Sequence, residues 1–156
     1  MREAESFLVL AYEHLAAGRW EELLRTFPAS LLDRARVARL DVMRTFREAG
    51  DWAITFGLGD PHAAERLSTD AFLTAGLQSL PADQRKSIRC HPDSSFEAQA
   101  GVVVVRFEIS GKGISQHPAL LRETRIFADG DRFWLHPSLL SPWLVPGMEG
   151  VLVSSP

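Results

Sequence analysis

Two stretches near the end of the chain decide its fold: GVVVVRFEIS at 101–110 and LLRETRIFADGDRFWLH at 120–136. The first is a nearly continuous β-branched and aromatic run. The second is two such runs around Asp129-Gly130. Together they predict three consecutive strands, 102–110, 120–128 and 131–136, the last two joined by a tight Asp-Gly turn. Weaker signals predict strands at 87–91 and 95–100. Consecutive strands joined this closely make an antiparallel meander.

Everything before about residue 80 reads as helix. Ala4, Phe7, Leu8, Ala11 and Leu15 fall on one side of a helix over 4–17, with Gly18 as its stop. A short helix is expected at 20–27, ended by Pro28. A long one follows at 30–49, with Ser30 as N-cap, and Leu31, Leu32, Ala35, Ala38, Val42, Met43, Phe46 and Ala49 form its apolar stripe. Asp60-Pro61 opens a helix at 61–66, and Ser68 caps another at 69–80. Residues 52–58 read equally as strand or helical turn. Residues 137–156 carry four prolines and two glycines and read as an irregular tail. The expectation is one α+β domain over 1–156: N-terminal helices packed on a curved antiparallel sheet of four to six strands.

Composition narrows the class. A chain of 156 residues with 46% apolar content can bury roughly two thirds of its unfolded surface. Seventeen basic against 20 acidic residues give a net charge of −3, which argues against a dedicated nucleic-acid binder. The single cysteine, Cys90, permits no disulfide within the chain and no multi-thiolate zinc site. The N-terminus carries acids where an export signal needs bases, and no run approaches a membrane span. The expected protein is cytoplasmic, without nucleic-acid or membrane partners.

Three segments resemble the NTF2-like (cystatin-like α+β cone) superfamily. These are FLVLAY at 7–12 with AGRWEELL at 17–24, the strand at 100–109, and the closing hairpin RIFADGDRFWL at 125–135. The resemblance is one of pattern along most of the chain. It implies a helix-covered curved sheet; the aromatic share of the last hairpin and the mixed polarity of its second face separately predict a homodimer through the sheet's outer face. The superfamily hosts isomerases, dehydratases, transport factors and non-enzymatic dimers, so fold alone does not assign an activity.

The closing hairpin offers the sharpest candidate site. With Asp129-Gly130 central in the turn, Arg125 faces Trp134 and Glu123 faces His136. Arg125 can then stack on Trp134, and Glu123 can orient His136 for anion binding or proton movement. Plain cross-strand pairing on a wet or dimer-forming face is the competing reading. Ile126, Phe133, Thr124 and Leu135 occupy the opposite, core face, with Phe107 on the preceding strand.

Arg39 falls inside the apolar stripe of its helix and needs an anionic partner or a snorkelling geometry. His14 lies at the margin of the first helix, where a pocket residue or a structural histidine both fit. Cys90-His91 has no second cluster, so no metal site is expected, and no base is fixed near Cys90. No dinucleotide, phosphate-loop or nucleophile-elbow motif occurs. No cofactor is expected. The leading functional expectation is a non-catalytic NTF2-like module that binds a small apolar or anionic molecule or forms a homodimer. The alternatives are a cofactor-free isomerase, dehydratase or hydrolase using a His or Asp/Glu, and a protein–protein interaction subunit.

Overall fold

The computed structural model describes residues 2–45, 61–78, 81–112, 122–136 and 139. The expected conformation of 52–58 and the tail beyond Leu139 lie outside them. The chain divides into two compact units, 1–28 with 81–136, and 29–80 with 137–156. The fold class is α+β.

The first unit holds α1 (Arg2–Ala17), α2 (Trp20–Leu24) and the whole sheet. Helix α1 buries Ala4, Leu8, Ala11, Tyr12, Leu15 and Ala16. Four of these were expected from the helical period, and Phe7 flanks them. Tyr12 is among the buried residues despite its phenol, at 4% exposed. Its ring sits 5.9 Å from that of Phe107, and this aromatic contact outweighs the polar bias of its flanks. Helix α2 is shorter than expected. It gives way at Arg25 to a turn in which Phe27 N–H bonds to Leu24 O at 3.2 Å.

In the second unit, α3 (Ala29–Thr45) starts directly after Pro28, one residue before the expected Ser30 cap. Helices α4 (Pro61–Glu65) and α5 (Thr69–Gln78) follow. Ser68 caps α5 as expected, its Oγ accepting from Ala71 N–H at 3.2 Å. Among the described residues of this unit, Leu32, Ala35, Leu40, Ala64, Phe72, Leu73 and Leu77 are the buried large or aliphatic side chains.

Helix α6 (Ala82–Ser87) was not foreseen; the 87–91 strand signal masked a turn of helix just before it. Among the described residues the sheet has four antiparallel strands, β1 (Arg89–Gln99), β2 (Val102–Ser110), β3 (Arg122–Asp129) and β4 (Arg132–Leu135), in the order β1-β2-β3-β4. It is not closed, and β1 and β4 are its edges. The two expected short strands at 87–91 and 95–100 are one strand, interrupted by register shifts between Pro92 and Ser94 and between Glu97 and Gln99. An extra residue at each shift bends the strand and lets it absorb Pro92.

The inner face of the sheet carries Val103, Val105, Phe107, Ile126 and Leu135, all at most 8% exposed, and α1 lies across it. Phe7 meets Phe133 there at 5.6 Å between ring centroids. Glu5 of α1 accepts a 2.8 Å hydrogen bond from Ser95 of β1. At the far edge, Leu135 N–H bonds to Thr26 O at 2.7 Å, tying β4 to the turn after α2.

The closing turn differs from expectation. Asp129 pairs with Arg132, so the central residues are Gly130 and Asp131. Gly130 has φ +62°, and no non-glycine residue among those described has a positive φ. That sign pattern belongs to a two-residue turn of type II′, with glycine first, and not to type I′, which needs positive φ at both positions. Glycine takes the left-handed conformation at little cost, and no aspartate is forced into it.

Moving the turn by one residue slides β4 by two along β3. Ile126 therefore faces Leu135 and Phe127 faces Trp134. An even slide preserves the faces and changes the partners.

Candidate functional site

Two residue groupings of functional character among the described residues lie in the first unit. One is the outer face of the sheet. Opposite residues in an antiparallel pair share a face, so the registers assemble the rows directly. Phe96, Val104 and Arg125 form one row, and Val102, Phe127 and Trp134 the next. Ser94, Arg106 and Glu123 form a third on the other side of the first.

Phe96 is 42% exposed, while Val104 beside it is 8% exposed. Val104 is thus covered by its longer neighbours, and Phe96 presents its ring to the outside. Arg106 lies over Phe96, with its guanidinium carbon 5.4 Å from the ring centroid. Arg106 Nε also donates to Glu123 Oε1 at 2.8 Å.

This arrangement replaces the expected constellation. Glu123 engages Arg106 across β2–β3 and does not face His136. His136 instead has its ring 6.4 Å from that of Phe127. Arg125 stands opposite Val104, and the cation stacked on Trp134 is Arg132, at 4.5 Å. The shifted turn is the cause: it moves Trp134 away from Arg125 and toward Phe127. Glu123, Arg125 and Trp134 do share the outer face, but not as the pairs the sequence suggested.

His14 stands in the last turn of α1, partly exposed. Its Nδ1 accepts a 2.9 Å hydrogen bond from Arg19 Nε, which leaves the ring proton on Nε2. Partial burial, with the Arg19 charge adding to it, pulls its pKa below the usual histidine range.

Arg39 is in the second unit, 4% exposed, with its guanidinium 5.6 Å from the Phe72 ring centroid. Burial lowers its pKa to about 10, so it remains a cation at neutral pH. Arg36 approaches the same ring at 5.9 Å and caps the end of α4 by donating to the carbonyls of Glu65 (2.8 Å) and Leu67 (3.1 Å). The Phe72 ring and the helix end explain both arginines as structural. Arg39 and the outer-face residues belong to separate units.

The second grouping is a cleft of about 450 Å³ between the C-terminal half of α1, α6 and the start of β1. Val9, Ala16 and Ile88 line it with apolar surface and Arg19, Lys86 and Arg89 with cations, and Tyr12 and Cys90 complete the wall. Burial raises the Cys90 thiol to about 12 and pushes the Tyr12 phenol well above its usual range. Both are neutral donors at physiological pH, so Cys90 is not a thiolate nucleophile. Sequence reading missed this cleft. Arg19, Lys86 and Arg89 come from three elements, and nothing in their spacing foretells that α6 folds back beside α1.

Among the described residues, no group of His, Cys, Asp and Glu could hold a metal ion, and no helix is long and apolar enough to cross a membrane. No family model, curated protein or solved structure matches this chain.

Proposed function

We propose that this chain is a non-catalytic NTF2-like module that pairs with a second copy of itself through the outer face of its sheet. The observation that carries the reading is the exposed ring of Phe96 in a face that also bears Val102, Phe127 and Trp134. An apolar centre rimmed by polar groups is the composition of an interface. The rim holds both signs, Arg106, Arg125 and Arg132 with Glu108 and Glu123. A two-fold pairing presents the same patch on both sides, so it needs such self-complementarity.

The inner face supports the same reading over an enzyme. Thr124 is its buried polar side chain among the described residues, and the Glu5 carboxylate on its β1 side is already engaged by Ser95. The order of elements, helices followed by an antiparallel meander with α1 across the inner face, fits the NTF2-like pattern.

Four strands about 4.8 Å apart and between 4 and 11 residues long cover on the order of 500 Å². Two faces then bury roughly 1,000 Å², at the low end for specific complexes. Interfaces of that size are typical of weak, transient pairs, so about 1–100 μM is the range to search. Sedimentation velocity over that range should show a monomer–dimer equilibrium. The double variant Phe96→Glu/Phe127→Glu should sediment as a monomer with an unchanged circular dichroism spectrum. A wild-type chain that stays monomeric at the highest concentration refutes the proposal.

A further inference from the structure

We infer that the cleft between α1, α6 and β1 is a binding site for a small amphipathic anion, a carboxylate carried on an apolar body. The site is separate from the outer face and does not depend on dimerisation.

Size is the first argument. About 450 Å³ lies within the roughly 300–1,000 Å³ of small-molecule sites. Chemistry is the second. The walls from Val9, Ala16 and Ile88 suit an apolar body. Arg19, Lys86 and Arg89 stand against one carboxylate, Glu13, so the lining carries a net positive charge. A neutral apolar ligand would leave those cations unused, and a cationic one would be repelled.

Preorganisation is the third argument. Arg89 Nη1 donates to the carbonyls of Lys86 (2.8 Å) and Ile88 (2.7 Å). Arg19 is held through Nε by His14 at 2.9 Å. Each guanidinium is thus fixed by one nitrogen and keeps other N–H groups to offer a carboxylate. An arginine already held in place loses less rotamer entropy on binding.

The wall behind them is fixed as well. Arg85 Nη1 donates to Ala16 O at 2.6 Å and Leu15 O at 3.3 Å, and its guanidinium stacks on Trp20 at 5.3 Å. Those bonds lock α6 to the end of α1.

Octanoate and 1-octanol, matched in chain length, separate this reading from nonspecific apolar binding. Each is titrated into the ¹⁵N-labelled full chain. Octanoate should shift the amides of Ala16, Ala17 and Cys90 and bind at least about tenfold tighter than 1-octanol. Arg19→Gln/Arg89→Gln should lose about tenfold in octanoate affinity or more and leave 1-octanol unchanged. Lys86→Gln, on the exposed rim, gives a milder loss if the double variant does not fold. Equal affinity for the two probes, or no saturable shift with octanoate, overturns the inference. So do shifts centred on Phe96, Phe127 and Trp134, which would place the probe on the outer face.

Discussion

Phe127 stands directly across the last hairpin from Trp134. The pair exists because Gly130, not Asp129, takes the first central position of the turn. Aromatic cross-strand pairs contribute roughly 0.2–1 kcal/mol beyond alanine. A double-mutant cycle on Phe127 and Trp134 should therefore give a coupling in that range. The same cycle on Arg125 and Trp134 should give none within error. Coupling in the second cycle and not the first would restore the turn centred on Asp129-Gly130.

The turn itself can be probed one residue at a time. A Cβ on Gly130 meets nothing within 4 Å, so any cost of substitution comes from the backbone. Gly130→Val should destabilise by more than about 1 kcal/mol. Asp131→Ala, at a residue with negative φ, should stay within about 0.5 kcal/mol. Thermal melts decide it; comparable losses at both positions would indicate a type I′ turn.

Gly18 combines two constraints. Its φ is +73°, and an added Cβ would sit 2.9 Å from Arg85 Nη1, the nitrogen that caps the end of α1. Gly18→Ala should thus cost about 1.5–3 kcal/mol, the sum of left-handed strain and a displaced cap. In an Arg85→Ala background the same substitution should cost less, because only the strain remains. Denaturant midpoints of the four variants measure the difference.

The core of the first unit should respond unevenly. Phe107 and Leu135 are each 1% exposed, and alanine at either should cost about 2–5 kcal/mol. Phe133 is only partly buried, though its ring meets Phe7, so Phe133→Ala should cost about half as much. Chemical denaturation gives the ranking.

His14 gives a pH signature. Its folded pKa lies below the unfolded value, so protonation favours the unfolded chain. The associated stability is fully present above the unfolded pKa of about 6.5 and is lost as pH falls through the folded one. Lowering pH from about 7.5 to 5 across that window should reduce the melting temperature of wild type more than that of His14→Gln. The effect is small, because the ring is largely solvated.

Much of the fold is legible in sequence because strands and helices announce their periods. The β-branched run at 102–110, the helical stripe of α1 and the Ser68 cap all lie where local rules place them. The inner face of the last hairpin is also legible, since Ile126, Phe133 and Leu135 keep their face under any even slide of β4. What local rules do not reach is pairing. Arg106 finds Glu123 across β2–β3, and Arg132 finds Trp134 along its own strand, through a register that one turn residue decides. The cleft is less legible still. Arg89 and Arg19 are 70 positions apart in the chain, and their approach depends on Arg85 reaching the end of α1.

The bulged course of β1 has a bearing on how the protein avoids unwanted polymers. An open sheet offers two edges to strand-by-strand addition, the route by which β proteins form fibrils. Along β1, Pro92 has no N–H to offer, and the two irregularities break the even ladder an incoming strand would need. At the other edge β4 is four residues long, and its Leu135 N–H is already taken by Thr26. Both borders of the described sheet are thus blunted against strand-by-strand addition.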